Sequence, residues 1–508
     1  MSFRDSSIAV GIDLATASAR AHAVRVDTGD VLAIAERALP APRVEGGVRV
    51  QAADYASAAA GVLEQLAADL GARGGEVAAI SVTGTSGTVV PVGPDGAARG
   101  DAIMYDDAST AALDRVLAES GVSGSVSMLP RMQAALARAP EATSIASTAD
   151  VVLAWLAGHA VPIDSSHALK AGIDPAARRW NTAAAETIGL DTAVLPEIVR
   201  PGAVLGEAVR GPFPGALLVA GMTDGCTSQI ATGAVGPGAS VGILGTTLVW
   251  KTGLATLPAQ LPDGVYAHLS PDGVWWPGAA SNVGGGALAA LVPDFPGWDD
   301  AAEQAIAHAP AVAPVYPLAA ARERFPARDA QAAFATTRGL AGLDAATRAR
   351  AVLEGVALVE RWGLDVLGAT DASEHVVSGG GTRSALWNRT RASALGRPVR
   401  IARTRDSGFG AAVLATTAIT HESLADAASR LSRSDAVVDP DPDLARVLAD
   451  HYAALRAELD AAGLDSAELD SAALDAAALD AAALDAAEFD SAELGSPELD
   501  SPERNLPA

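Results

Sequence analysis

Val10-Gly11-Ile12-Asp13-Leu14-Ala15-Thr16 and Val241-Gly242-Ile243-Leu244-Gly245-Thr246-Thr247 share their first three residues, and each closes on a threonine. In both, an apolar run suited to a buried strand meets a turn of small residues and then a second strand. The repetition implies two domains of one ancestry, each presenting a strand–turn–strand loop to a common cleft. The join falls at Gly233-Ala234-Val235-Gly236-Pro237-Gly238, a hinge composition.

The flanking sequence extends this pattern. Strands are expected at 8–13, 20–26 and 31–38, with a turn at Asp27-Thr28-Gly29-Asp30, then a helix at 52–70 and a strand at 77–82 that ends in Thr83-Gly84-Thr85-Ser86-Gly87-Thr88. A buried strand at 216–222 leads into a helix at 224–232. In the second half a helix is expected at 345–367, a strand at 375–378, the run Gly379-Gly380-Gly381, a helix from Ser384 and a strand around 398–401. Strands alternating with helices in both halves predict an α/β class.

The chain has 508 residues, 49% of them hydrophobic and 19% charged, enough for at least two cores. Its net charge is −25, from 61 acidic and 36 basic residues. That balance argues against nucleic acid and against an anionic membrane surface as partners, because both need clustered Lys and Arg. Residues 457–508 hold 14 acidic side chains and one basic, about half of the net charge. Leu459, Leu464, Leu469, Leu474, Leu479, Leu484, Phe489, Leu494 and Leu499 recur there every fifth residue. On a helix that period makes no single stripe, so a solvated, low-complexity, partly helical tail is expected. A pentapeptide β-solenoid is the sharper alternative, with the acidic residue on the wrong side of each leucine.

One cysteine, Cys226, excludes an intramolecular disulfide and a multi-thiolate zinc site. Residues 1–7 lack the apolar region of a signal peptide, and no uncharged apolar run has transmembrane length, so a cytoplasmic protein is expected. Only Lys170 and Lys251 are lysines.

Turns of Gly, Ala and Thr after a strand expose N–H groups and hydroxyls, which suit the oxygens of a nucleotide triphosphate. Asp13, ending a strand beside such a loop, could hold hydrated Mg2+, or could accept backbone hydrogen bonds within its turn. Neither a Walker A sequence nor a protein-kinase catalytic loop is present, and Gly379-Gly380-Gly381 alone reads as a turn. Asp224 opens a helix, where Asp often serves as a cap. In a cleft it could instead take the proton from a substrate hydroxyl attacking a γ-phosphoryl group. Cys226 reads as a small buried filler, and Trp275 and Trp276 as core residues before sugar platforms.

Taken in order, Asp13 to Thr16, Gly84-Thr85, Tyr105-Asp106-Asp107, Asp164-Ser165-Ser166, Trp180, Asp224, Gly245-Thr246-Thr247, Glu323-Arg324-Phe325-Pro326, Leu353-Glu354-Gly355 and Gly379-Gly380-Gly381 with Trp387 resemble the FGGY carbohydrate kinases. Within that family Met104-Tyr105-Asp106-Asp107-Ala108, Ala168-Leu169-Lys170-Ala171-Gly172-Ile173-Asp174-Pro175 and Gly278-Ala279-Ala280-Ser281-Asn282-Val283-Gly284-Gly285 look most like the plant and cyanobacterial D-ribulokinases, once described as xylulose kinase-like. The resemblance implies two actin-like, ribonuclease-H-like domains with a central cleft: residues 1–235 for sugar and base, 236–456 for ATP, and 457–508 as the tail. It also implies Asp224 as catalytic base and Asp13 as the carboxylate on the Mg2+ side. Thr16, Gly245, Thr246 and Thr247 would line the phosphates, and Gly380, Gly381, Ser384 and Asn388 would lie near the adenosine. Thr85, Tyr105 and Asp107 would face the sugar. Three positions depart from the pattern: Ser109 stands where the family often has Arg, Asp106 where Asn is frequent, and His167 where the D-ribulokinases show Asn.

The reading is thus an ATP- and Mg2+-dependent kinase for a ketopentose, D-ribulose first and D-xylulose or another sugar or polyol second, with a homodimer compatible with it. An ATPase switch of the actin or chaperone type is the rival within the fold. A catalytically idle scaffold recruiting a partner through its tail is the rival outside it.

Overall fold

The computed structural model describes residues 7–120, 126–258, 261–262, 264–295, 297–319, 323–327, 337–369 and 372–461. Two mixed sheets dominate it, and each is centred on one of the two Val-Gly-Ile strands. In the first, β1 (Ile8–Leu14) pairs antiparallel with β2 (Ser18–Arg25), which pairs antiparallel with β3 (Val31–Ala38). On its other side β1 runs parallel to β4 (Val77–Gly84). The edge beyond is β5 (Val204–Glu207), antiparallel to β6 (Leu217–Val219), which is parallel to β4.

The second sheet repeats this plan. Its centre, β7 (Ala239–Leu244), pairs antiparallel with β8 (Leu248–Thr252). β9 (Tyr266–Leu269) and β10 (Trp275–Ser281) extend the antiparallel side. β11 (Glu374–Ser378) runs parallel to β7, β12 (Val399–Ala402) parallel to β11, and β13 (Ser434–Val438) closes the edge antiparallel. An antiparallel run of three strands in the first sheet and four in the second, each followed by two parallel strands, is the arrangement expected of two actin-like domains.

β1 is buried on both faces, so it reads as a continuous apolar run instead of an alternation. Ile8, Val10, Ile12 and Leu14 face α1 (Tyr55–Leu70) and α2 (Thr148–Ala157), packing with Leu63, Leu66, Val152 and Leu156. Ala9 turns to the opposite face, toward α3 (Asp224–Thr232) and α6 (Ser407–Thr420). In the second sheet Trp250 joins Trp362 of α4 (Ala345–Val366) in a separate core. That core also takes Leu448, Leu455 and Leu459 from α7 (Pro442–Ala461). The first leucine of the five-residue repeat is therefore part of a packed helix, while residues 462–508 of the expected tail lie outside the described residues.

Most expected elements form within a few residues of where the sequence places them. The first helix starts at Tyr55 in place of 52. The strand expected at 216–222 is shorter, Leu217–Val219, and beyond it Gly221 lies close against β4, where a β-carbon would stand 1.8 Å from Val82 O. Helix α6 is the larger departure from chain order. It follows all but the last strand of the second sheet in sequence, yet it packs on the first.

Candidate active site

Asp13 sits at the carboxyl end of β1, opposite Arg20 in the β-ladder, and is 5% exposed. Its Oδ1 has no hydrogen-bond partner among the described residues, and neither has the nearby Thr16 Oγ1. Burial pushes the Asp13 carboxyl up to about 7, and the charges of Asp406 and Glu36 add to burial against the opposing pull of Arg20. A buried, unsatisfied carboxylate beside an unsatisfied hydroxyl is costly unless a cation or a donor fills the space. Hard oxygen donors of this kind fit Mg2+. No group of three His, Cys, Asp or Glu suited to a metal occurs among the described residues, so phosphate oxygens or water would have to complete such an ion's shell.

Asp224 is the first residue of α3, after Thr223 at the N-cap, and is fully buried. Its Oδ1 accepts the N–H of Gly225 at 2.6 Å, so the carboxylate lies at a helix N-terminus, where the peptide dipoles favour the charged form. Its backbone carbonyl accepts hydroxyls from Thr227 at 3.0 Å and from Ser407 at 3.3 Å. Next to Ser407, Asp406 caps α6 and accepts from Arg20 and His22, both at 3.3 Å. The start of α6 therefore touches the surroundings of both acids. Burial would raise the Asp406 carboxyl, but the His22 hydrogen bond and charge, helped by Arg20, pull it down to about 2.

On the side expected for the sugar, Thr85, Tyr105 and Asp107 are all buried. Asp107 accepts the N–H of Arg49 at 2.7 Å, and the N–H and hydroxyl of Ser109. Ser109, in the place of an expected Arg, thus orients the carboxylate. Asp106 pairs with Arg49 Nε at 2.8 Å, which restores a guanidinium beside the motif from another strand. Lys170 is 6% exposed, donates from its Nζ to Ser86 O (3.4 Å) and runs past Gly87. Asp164 is spent internally on the N–H groups of Ser166 and His167 and on the His167 ring. Trp276 and Cys226 are core residues packed with α3 and α6, as expected.

In the second domain Gly245, Thr246 and Thr247 form the turn between β7 and β8, and Thr246 is exposed. The N–H groups of Gly285 and Gly286 bond to the Gly245 and Thr246 carbonyls at 2.8 and 2.9 Å. Gly380 and Gly381 follow Gly379, whose φ of 92° and contact with Leu244 O exclude a side chain. Ser384 caps α5 (Ala385–Leu395) through the Trp387 N–H, and Asn388 donates to Thr382 O at 2.8 Å. The Asn388 Oδ1 is buried with no partner among the described residues. A cavity of about 550 Å³ bounded by Arg200, Pro271, His421 and Leu424 includes none of these residues.

Residues missed from sequence are Asp406, His22, Arg20 and Ser407: Arg20 faces Asp13 across the β1–β2 ladder, and the docking of α6 brings Asp406 to Arg20 and His22 and Ser407 to Asp224. The capping position of Asp406 before Ser407-Gly408 was the available signal.

Residues 241–419 match the FGGY family of carbohydrate kinases, C-terminal domain. The chain resembles that domain over these residues.

It folds throughout like solved sugar kinases. A structure described as a xyloylose kinase from Brucella ovis is 21% identical with a TM-score of 0.77, covering 90% of this chain and 99% of that one. A xylulose kinase from Rhodospirillum rubrum is 24% identical, TM-score 0.75, covering 89% and 99%. The Plasmodium falciparum glycerol kinase with ADP is 14% identical, TM-score 0.70, covering 90% and 99%. At these identities the likeness establishes the fold, two actin-like domains, and the matched domain makes the chain a phosphotransferase of the carbohydrate kinase type. Among the described residues no helix is long and apolar enough to cross a membrane.

Proposed function

We propose that the chain is a cytoplasmic, ATP-dependent ketopentose kinase that converts D-ribulose to D-ribulose 5-phosphate, with Asp224 as general base. The observation that carries this reading is the pair of buried acids, Asp13 with an unsatisfied oxygen at a strand end and Asp224 at a helix start, both tied to the first turn of α6. Asp224 takes the proton of the sugar hydroxyl as that oxygen attacks the γ-phosphorus in line. Asp13 would hold Mg2+, which when bound supplies charge neutralisation to the phosphates, and Thr16 would line them. The turn Gly245-Thr246-Thr247 donates N–H and hydroxyl groups to the phosphate oxygens, while Gly380, Gly381, Ser384 and Asn388 flank the adenosine. Thr85, Tyr105 and Asp107 orient the sugar, Asp107 through the lone pairs that Arg49 and Ser109 leave open.

D-ribulose stands ahead of D-xylulose because the segments Met104 to Ala108 and Ala168 to Pro175 resemble the D-ribulokinase pattern. The structural neighbours described as xylulose kinases support D-xylulose as the second reading. ADP release measured against a panel of ketopentoses, hexuloses and polyols separates the two. Stimulation by D-ribulose above D-xylulose supports the proposal; stimulation by neither refutes it.

A further inference from the structure

His268 belongs to β9, the edge strand of the second sheet, yet its ring reaches the first domain: Nδ1 lies 3.0 Å from Ser166 Oγ. Ser166 Oγ in turn accepts the backbone N–H of Thr223 at 3.1 Å and lies 3.2 Å from Thr223 Oγ1. Thr223 is the cap residue from which α3 starts, immediately before Asp224, and its side chain makes no capping bond. On its other side it bridges to Gly84 of β4. Two clamps therefore set where Asp224 stands, one inside the first domain and one that ends on the second sheet. Ser166 is itself fixed by Asp164, and Ser166, Thr223 and His268 are all buried.

The imidazole is suited to this place. Burial, then the charges of Lys251, Lys170 and His167, keep His268 uncharged well below the usual histidine range. A neutral ring offers one donor and one acceptor nitrogen, so it can meet the Ser166 hydroxyl without burying a charge. Lys170 and Lys251 are the only lysines beside 34 arginines, one comes from each domain, and both are buried. Their stems run past Gly87 and Gly278, where a β-carbon would crowd them. A compact ammonium on a slender stem fits such a slot better than a planar guanidinium.

We propose that Ser166 and His268 are positioning residues for phosphoryl transfer, linking the second sheet to the cap of the helix that carries Asp224. The inference rests on the reading of Asp224 as the base. It is tested by steady-state kinetics with D-ribulose and ATP on Ser166→Ala, His268→Leu, their double variant, and His268→Asn, which keeps a polar atom close to the Nδ1 position. Each single deletion is expected to lower kcat by about tenfold to a hundredfold, as small misplacements of reacting groups do, with KM for both substrates nearly unchanged. The double variant should be no slower than the slower single one, because both remove one contact, and His268→Asn should recover most of kcat. Should His268→Leu fail to fold, Ser166→Ala, which deletes a single oxygen, carries the same split of kcat from KM. Parental kcat in either single variant, losses that multiply in the double, or no recovery with Asn would overturn the proposal. Asp224→Asn run in parallel keeps the two readings apart. A fast Asp224→Asn removes the base assignment, whereas a slow one beside normal Ser166→Ala and His268→Leu removes only the positioning role.

Discussion

The β-carbon that Gly11 lacks would stand 1.9 Å from the carbonyl oxygen of Gly408. Strand β1 and helix α6 thus meet backbone to backbone two residues before Asp13 and two after Asp406. The equivalent Gly242 in the second sheet is bare for another reason: there the space belongs to Glu360 Oε1, at 1.8 Å. The matching strand position is glycine in both sheets, facing a helix in one and an ion pair in the other.

Gly11→Ala should therefore destabilise the protein by more than the about 1–3 kcal/mol typical of an overpacked core. Gly236→Ala, where the new methyl would meet nothing within 4 Å, should stay within about 0.5 kcal/mol of the parent. Urea unfolding midpoints for the two variants check this, and equal midpoints would contradict the close approach.

The buried acid at the site should make stability depend on pH. Because the folded Asp13 carboxyl is raised from 3.8 to about 7, the folded state keeps a proton that the unfolded chain releases. Stability from this group is full below about pH 4 and falls as pH rises toward 7, by about 4 kcal/mol at most. Ligand-free Asp13→Asn should melt above the parent at pH 8 and level with it near pH 4. Mg2+ with a nucleotide should raise the parent's Tm more than the variant's. A variant less stable than the parent at pH 8 would contradict the unsatisfied carboxylate.

Glu360 behaves in the opposite sense. Burial alone would raise its carboxyl, but the Arg391 guanidinium and His375 pull it down to about 2, and both Arg391 bonds to it are 2.6 Å. Its stabilising contribution is present above about pH 4.5 and is lost as pH falls toward 2. Arg391→Met leaves this charge buried with only His375 of its two partners and should cost about 3–5 kcal/mol at pH 7. Acid titration of the unfolding midpoint should show the variant's deficit shrinking below pH 4.5.

Much of this architecture could be read from the chain. The two Val-Gly-Ile segments announce themselves because strands buried on both faces stay apolar along their length. Helix α3 spans 224–232 as the sequence places it, since Gly233, at φ 84°, ends it. The docking of α6 could not be read, because Ser407–Thr420 is buried on nearly every side and its periodicity selects no face. Its glycines were the hint: Gly410 in a helix costs about 1 kcal/mol of propensity and stands where backbones touch, since a β-carbon there would lie 1.8 Å from Thr227 O. For the same reason Asp406, His22 and the Ser166–His268 contact lay beyond reach, being long-range meetings of residues with no local pattern.

At the sugar side, Asp107→Ala should raise KM for the ketopentose at least about tenfold, as expected when a hydrogen-bond acceptor for substrate hydroxyls is lost, and leave KM for ATP unchanged. A change in KM for ATP alone would move Asp107 out of the sugar pocket.

The most direct test of the account is single-turnover transfer from ATP to D-ribulose by the parent and by Asp224→Asn. The account predicts a phosphorylated sugar from the parent and a rate lower by about 10²–10⁴ in the variant, with nucleotide affinity retained. Transfer by Asp224→Asn at the parental rate would contradict it.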